Sequence, residues 1–145
     1  MKYPIGIQDF EKIIEDGYVY VDKTELVYKL ANEGHIYFLS RPRRFGKSLL
    51  ISTLKYYFQG RKDLFRGLAI DKLETKWAEY PVFHLSFGSA NFTKHGTLDE
   101  VIDNYLADFE NDYPTNTKPR DFGIRFASIL KAAHKKTDRR AVVLI

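Results

Sequence analysis

The chain has 145 residues, a net charge of +4, 44% hydrophobic and 29% charged residues, and no cysteine. Such a composition is typical of a soluble globular domain that can bury a core, and it excludes disulfides and thiolate metal sites. No apolar run approaches the about 20 residues of a membrane-spanning helix, and Met1–Pro4 lacks the apolar part of a signal peptide, so we expect a cytoplasmic protein with no membrane partner.

The basic excess lies in the N-terminal half of the chain. Residues 1–70 contain 12 lysines and arginines against 8 acidic residues, whereas residues 71–145 contain 11 of each. A phosphate ligand accounts for this placement. A nucleic-acid-binding surface would also account for the basic excess, although a net charge of +4 is a weak indication of nucleic-acid binding.

A short helix and an extended segment open the chain. Phe10, Ile13 and Ile14 recur at helical spacing and predict a helix over about residues 9–15. The segment Tyr18–Val21 is rich in aromatic and β-branched residues and predicts an extended strand. We interpret its two tyrosines as packing groups rather than as groups that stack on bases.

A second helix follows the extended segment. Asp22 stands three residues before Glu25, which predicts a helix cap with a reciprocal partner. The helix is expected to run to about Asn32 and to stop at Gly34. Helix capping already explains why these residue types occur at Asp22–Thr24. We therefore interpret the segment as a helix start rather than as a contact with nucleotide or with a neighbouring subunit.

The next segment combines a strand, a tight loop and a helix. The apolar run Ile36–Leu39 predicts the strand, and Leu49–Phe58 predicts the helix. Between them lies Arg41–Ser48, with the sequence RPRRFGKS. A strand followed by a loop ending in Gly-Lys-Ser and then by a helix is the context of a phosphate-binding P-loop.

The chemistry of that loop is local. Lys47 would reach the β- and γ-phosphates, and the Ser48 hydroxyl would ligate the accompanying Mg²⁺. The general pattern has glycine where this chain has Arg41, and Pro42 removes a backbone donor, so the N–H groups from Arg44 onward must surround the anion. The candidate nucleotide-binding residues are Arg43, Arg44, Phe45, Gly46, Lys47, Ser48 and Leu49.

The remaining elements alternate between strand and helix. Residues 61–80 are expected to be irregular or partly helical, and Trp77 to be a core or boundary aromatic. A strand is predicted over residues 82–87, and a loop over residues 88–96. Thr97 and Glu100 predict a capping box for a helix that extends to Phe109.

The C-terminal part predicts a further helix and a strand. Pro114–Pro119 breaks the preceding helix, and the next one begins near Asp121. We interpret its basic end, Lys131–Lys136, as favourable charge at a helix C-terminus rather than as a nucleic-acid patch. Ala141–Ile145 predicts a buried parallel strand. The four histidines have no metal-ligand spacing, and no catalytic residue is assigned.

Three motifs together indicate a family. Pro4–Phe10, Tyr18–Thr24 and Arg41–Ser48 follow one another in an order and spacing that resemble the predicted AAA-ATPase-like proteins of bacteria and archaea. Those proteins carry the same RPRRFGK[S/T] variant of the Walker A loop, and many continue into a domain like the PD-(D/E)xK nucleases. The resemblance covers essentially the whole chain. Arg41 departs from the general P-loop pattern, but it matches the loop variant of this family.

The resemblance implies an α/β P-loop NTPase of the AAA type, with a parallel sheet flanked by helices and with ATP and Mg²⁺ as ligands. The Walker B Asp-Glu pair is expected just after Ile145, and a later strand is expected between residues 36–40 and 141–145. Residues 1–145 therefore resemble the N-terminal portion of one incomplete domain, which would bind ATP without hydrolysing it, whereas the intact parent would be an ATPase.

Two alternatives to nucleotide binding are a nucleic-acid-associated module that uses the arginines of the loop and a truncated remnant that binds nothing. The sequence leaves open whether the chain forms a homo-oligomer. The preference for adenine over guanine rests on the resemblance alone.

Overall fold

A computed structural model describes residues 1–88, 95–115 and 121–145, and shows an α/β protein. The chain divides into two compact units, Met1–Glu79 and Tyr80–Ile145. Most of the predicted loop 88–96 and of the predicted helix break 114–119 lies outside the described residues.

The first unit is helical. It contains α1 (Phe10–Glu15), α2 (Thr24–Glu33), α3 (Lys47–Phe58), a 3₁₀ turn (Lys62–Phe65) and α4 (Ala69–Leu73). The three longer helices of this unit confirm the predicted helical periodicity, and the partly helical character of residues 61–80 is confirmed too.

Aromatic side chains form the core of the first unit. Phe10 and Phe65 are fully buried, with their ring centres 4.8 Å apart. Tyr20 meets Phe10 edge-on at 5.2 Å, and Trp77 lies 5.3 Å from Phe65, so both aromatics pack as predicted. Each large apolar side chain buried in this way contributes about 1.5–3 kcal/mol to the free energy of folding.

The Asp22–Thr24 segment links α2 to α4. Asp22 accepts hydrogen bonds from the Thr24 amide at 2.9 Å and from the Ala69 amide at 2.7 Å. The fully buried Thr24 hydroxyl donates to Asp22 at 2.7 Å and accepts from the Ile70 amide at 3.1 Å. The predicted helix start in this segment is confirmed, but Asp22 is not its cap, because the N-cap residue is Lys23 and no side chain caps α2. Asp22 and Thr24 instead bind the first turn of a second helix.

The predicted reciprocal partner of Asp22 is wrong. Glu25 pairs instead with Lys29, at 3.2 Å along α2. Because Lys23 is the N-cap residue, Glu25 is the second residue of the helix and not the third, which a capping box requires. Gly34 ends the helix as predicted, but with an extended backbone rather than a left-handed one.

The predicted strand at Ile36–Leu39 does not form. No backbone hydrogen bond joins these residues to another segment of the described chain, and Ile36 and Phe38 are 95% and 94% exposed. A strand exists only with a neighbour to pair with, so an apolar run without one remains irregular. The predicted strand Tyr18–Val21 is likewise reduced to one parallel bridge, between Lys2 and Tyr18.

The second unit consists of β1 (Val82–His84), α5 (Thr97–Asp112), α6 (Phe122–Thr137) and β2 (Val142–Leu144). The strands are parallel, with Val82 opposite Val142 and His84 opposite Leu144, which confirms the predicted parallel pairing. Both strands are shorter than predicted. Burial is one-sided in β2, because Leu144 is buried while Val143 is 39% exposed.

Helices α5 and α6 cover the sheet residue Phe83, which is fully buried in a cluster with Leu106, Ile129 and Ala133. Arg125 of α6 binds both Asp103 and Glu110 of α5, and so links the two helices. The side chains of Arg125 and Glu110 are 12% and 16% exposed, so their contact is shielded from water, whereas the Asp103 side chain is 58% exposed.

The two helix starts of the second unit differ in how well they match prediction. Helix α6 begins next to Asp121 as predicted, and the Asp121 side chain caps it by accepting from the Ile124 amide at 2.9 Å. The capping box predicted for Thr97 is wrong, because Thr97 is already inside α5. Gly96 precedes it with a φ of +86°, a left-handed conformation that glycine adopts without strain.

We predict that Thr24→Val lowers the free energy of unfolding of the first unit by about 1–3 kcal/mol, since it leaves a buried amide and a carboxylate without their hydroxyl partner. The single tryptophan of the chain, Trp77, packs in this unit, and its fluorescence during urea unfolding measures the change. The exposed Thr75→Val is the matched control, with an expected change within about 0.5 kcal/mol. Equal losses in the two variants would contradict the prediction.

We also predict a pH dependence that originates at Asp22. Burial raises the pKa of its carboxyl group, but hydrogen bonds from Thr24 and Ala69 outweigh burial, so the pKa lies below its ordinary value. A lowered folded-state pKa stabilises the fold fully above the unfolded value of about 3.9, and this stabilisation is lost as the pH falls through the folded-state pKa.

The stability difference between the wild type and Asp22→Asn should therefore shrink on going from about pH 7 to about pH 3. Urea unfolding of both proteins across this range, followed through Trp77, measures the difference. A difference that stays constant with pH would show that the charge of Asp22 does not contribute.

Candidate functional site

The predicted phosphate-binding segment forms an exposed loop at the start of α3. We call residues 41–48 the basic loop, and every one of them is exposed. The body of α3 is anchored in the first unit through its buried residues Ser52, Thr53, Tyr56 and Tyr57. The sequence thus places the start of a firmly packed helix in contact with solvent.

Two residues of the basic loop have a left-handed backbone conformation. Arg44 has a φ of +67° and Gly46 a φ of +73°, so both adopt the left-handed conformation. Glycine does so freely, whereas an arginine there costs about 1–2 kcal/mol. Left-handed residues alternating with ordinary ones turn successive N–H groups toward one side, the arrangement known as an anion-binding nest.

The N-terminus of α3 is open to a ligand. No side chain caps it, and its first helical hydrogen bond runs from the Leu50 amide to the Gly46 carbonyl at 2.9 Å. The N–H groups ahead of Leu50 have no partner within the helix, and the helix dipole makes this end favourable for negative charge. A Cβ atom added to Gly46 would meet nothing within 4 Å, so the site is also sterically accessible.

The basic loop carries four cationic side chains. The Lys47 ammonium donates one of its three N–H groups to the Arg41 carbonyl at 2.7 Å, which closes the loop across six residues. Within the described residues, no carboxylate pairs with Lys47 or with the arginines at positions 41, 43 and 44. Their charges remain available to an anion.

The two candidate residues at the helix start differ in what they can offer. Ser48 is exposed in the first turn, so its hydroxyl is accessible. Leu49 is half-buried, and its carbonyl already accepts the Thr53 hydroxyl at 2.8 Å, which leaves its amide as the group that can face a ligand. The described residues contain no group of three histidine, aspartate or glutamate side chains that could bind a metal ion.

The hydrogen bonds that join α3 to α1 were not predicted from the sequence. The Phe10 amide donates to the buried Ser52 hydroxyl at 2.8 Å, and this hydroxyl donates to Asp9 at 3.3 Å. The Tyr56 hydroxyl lies 3.2 Å from Asp9 and 3.0 Å from Glu11. A sequence signal exists, because Ser48, Ser52 and Tyr56 recur every four residues and so share one helix face.

The Tyr56 hydroxyl is a hydrogen-bond donor to these carboxylates. Burial, followed by the hydrogen bond to Glu11 and the negative charges of Asp9 and Glu11, raises the pKa of Tyr56 well above its ordinary value. The phenol therefore stays protonated, and α1 and α3 are joined by hydrogen bonds rather than by opposed charges.

Comparison with known proteins agrees with the three motifs. A family model described as predicted AAA-ATPase, AAA-ATPase-like, matches residues 4–145. A protein of Azotobacter chroococcum mcd 1, described as an uncharacterized protein in the vnfD 5′ region, is 41% identical over 145 residues. The match covers 99% of this chain but 28% of that relative, so the chain spans little more than a quarter of its length.

No solved structure matches the chain. No described helix combines the length and the apolar character needed to cross a membrane. The family match includes α1, the Asp22–Thr24 segment and the basic loop with its helix. Because it extends over nearly every residue, the chain belongs to the predicted AAA-ATPase family.

Proposed function

We propose that this chain binds the phosphates of a magnesium-bound nucleoside triphosphate, ATP, at the basic loop. The proposal rests on three features that occur together in the basic loop and at the start of α3. The backbone is left-handed at Arg44 and Gly46, the start of α3 has no side-chain cap, and the Lys47 ammonium lies beside it.

The residues have distinct proposed roles. The N–H groups from Arg44 to Leu49 receive phosphate oxygens, and Lys47 meets the β- and γ-phosphates with the N–H groups that Arg41 does not use. Ser48 provides the protein ligand to Mg²⁺, whose other ligands are phosphate oxygens and water. Arg43 and Phe45 line the rim of the site, where a guanidinium binds phosphate in a bidentate manner.

The choice of ATP over other triphosphates rests on membership of the predicted AAA-ATPase family. Hydrolysis is proposed for the longer proteins of the family, because it requires a carboxylate that positions water beside the bound metal. The chain would act in the cytoplasm, where disulfides are rare and its cysteine-free composition is unremarkable.

A second candidate function is binding of single-stranded nucleic acid. Tyr37, Phe38 and Phe45 are 54%, 94% and 62% exposed; Phe45 lies within the basic loop, and the other two precede the loop in the chain. Exposed aromatics beside cations are a platform for stacked bases. Affinity for an oligonucleotide that falls steeply with salt and is insensitive to Mg-ATP would favour this function over nucleotide binding.

We predict that Mg-ATP raises the melting temperature of the first unit. A ligand that binds only the folded state stabilises it by about 2.7 kcal/mol at one hundred times its Kd. Differential scanning fluorimetry through Trp77 measures the shift. Magnesium chloride at matched ionic strength is the control, because a basic loop also responds to salt. An unchanged melting temperature at saturating Mg-ATP would count against the proposed function.

We predict that Lys47→Ala weakens nucleotide binding more than Arg43→Ala. The charge-assisted hydrogen bond lost with Lys47 is worth about 1.5–3 kcal/mol. This corresponds to a rise in Kd of about ten- to one-hundred-fold, measurable by isothermal titration calorimetry.

The control for this comparison is Lys12→Ala, which removes the same charge from an exposed position on α1. It should leave the Kd nearly unchanged. A greater loss of affinity in Arg43→Ala would reverse the roles assigned to the two cations.

A further inference from the structure

One carboxylate group contacts both α1 and α3. Asp9 accepts the Lys12 amide at 3.1 Å and so caps α1. It also accepts the hydroxyl of Ser52 at 3.3 Å and that of Tyr56 at 3.2 Å, both on α3. A single side chain thus fixes the start of the short N-terminal helix against the helix that begins at the basic loop.

The contact between Asp9 and Ser52 is buried on the Ser52 side and half-buried on the Asp9 side. Ser52 is 8% exposed, and its hydroxyl also accepts the amide of Phe10, a residue with no exposed surface. Donors and acceptors enclosed in this way lose their full solvation if a partner is removed. The position of α3 relative to α1 is therefore sharply defined at this point.

The same contact lies close to the proposed nucleotide site. Ser48 precedes Ser52 by four residues, so the two share a helix face and are separated by about 6 Å along the axis. The basic loop is exposed throughout, and Lys47 bonds within the loop itself, to Arg41. The direction in which the loop presents its N–H groups consequently follows the direction of α3.

We infer that Asp9 is a positioning residue for the proposed nucleotide site and acts through Ser52. Asp9 does not touch the ligand; it fixes the second turn of α3, so that the amides and the Ser48 hydroxyl of the first turn are preorganised for the phosphates. This inference rests on the proposed function, and it adds a residue outside the basic loop to the determinants of affinity.

The variant that tests it is Asp9→Asn. Asparagine caps helices as well as aspartate, so α1 keeps its cap, whereas the charged acceptor for Ser52 and Tyr56 is lost. The matched control is Glu11→Gln, the same exchange of carboxylate for amide on the same helix. Glu11 contacts Tyr56 and Arg61, at 3.0 and 2.5 Å, whereas the Ser52 hydroxyl donates to Asp9.

Both variants are expected to melt below the wild type, and affinity separates them. Asp9→Asn should raise the Kd for Mg-ATP about fivefold, the ratio that corresponds to about 1 kcal/mol, while Glu11→Gln should change it less than about twofold. Titration calorimetry well below both melting temperatures measures the two constants. Equal Kd values in the wild type and Asp9→Asn, despite a lower melting temperature, would reduce Asp9 to a purely structural residue and overturn the inference.

Amide hydrogen exchange gives a readout that needs no nucleotide. The Leu50 amide closes the first turn of α3, and its exchange rate relative to that of the Leu54 amide, in the middle of α3, reports the order of the loop end. We expect this ratio to rise in Asp9→Asn and to remain at the wild-type value in Glu11→Gln.

The two readouts separate the inference from the proposed function. A wild type that binds no nucleotide rejects the proposed function, and the exchange ratio then decides alone whether Asp9 positions the loop end of α3. An unchanged ratio in Asp9→Asn would overturn the inference in either case.

Discussion

The hydrogen bond from the Phe10 amide to the Ser52 hydroxyl is the constraint on which the first unit depends. It is 2.8 Å long and joins two buried residues that are 42 positions apart in the chain. Because a buried amide must find a partner, this hydrogen bond favours the observed register of α1 on α3. That register brings Asp9 to the side of Ser52 and places Phe10 against Phe65 in the aromatic core.

Two of the three family motifs are explained by such links. The first motif ends in Asp9 and Phe10, which join α1 to α3, and the second ends in Asp22 and Thr24, which join α2 to α4. Asp9 caps its own helix and also reaches α3, whereas Asp22, which precedes the N-cap residue Lys23, joins the starts of α2 and α4. The third motif, the basic loop, has the opposite character, since it is exposed and its cations pair with no described carboxylate.

This difference between the motifs explains how a strained and highly charged loop can persist. An arginine with left-handed backbone costs about 1–2 kcal/mol, and four adjacent cations repel one another. Neither cost is offset inside the loop, where Lys47 makes one hydrogen bond to Arg41. Strain of this kind persists when the surrounding structure imposes it, and here α3, fixed by α1 and the aromatic core, does so.

Local rules were sufficient for much of the fold. The periodicity of apolar residues predicted α1, α2, α3, α5 and α6, because one face of each helix must meet the core. The start of α6 near Asp121 and the parallel pairing of β2 followed from equally local patterns. By contrast, Ile36–Leu39 has the composition of a strand, but strand formation depends on a neighbour that local sequence does not contain. The capping box at Thr97 matched in spacing, yet Gly96 enters α5 in the left-handed conformation and Thr97 lies inside the helix.

The sequence by itself determined the helices and the family, and it predicted phosphate binding at the basic loop. Only the tertiary structure showed that Asp9, Ser52 and Tyr56 join α1 to α3, and that Asp22 and Thr24 join α2 to α4. The physical reason is the range of the interactions involved. Periodicity and capping act over a few residues, whereas these hydrogen bonds connect residues more than 40 positions apart and exist only once the chain has packed.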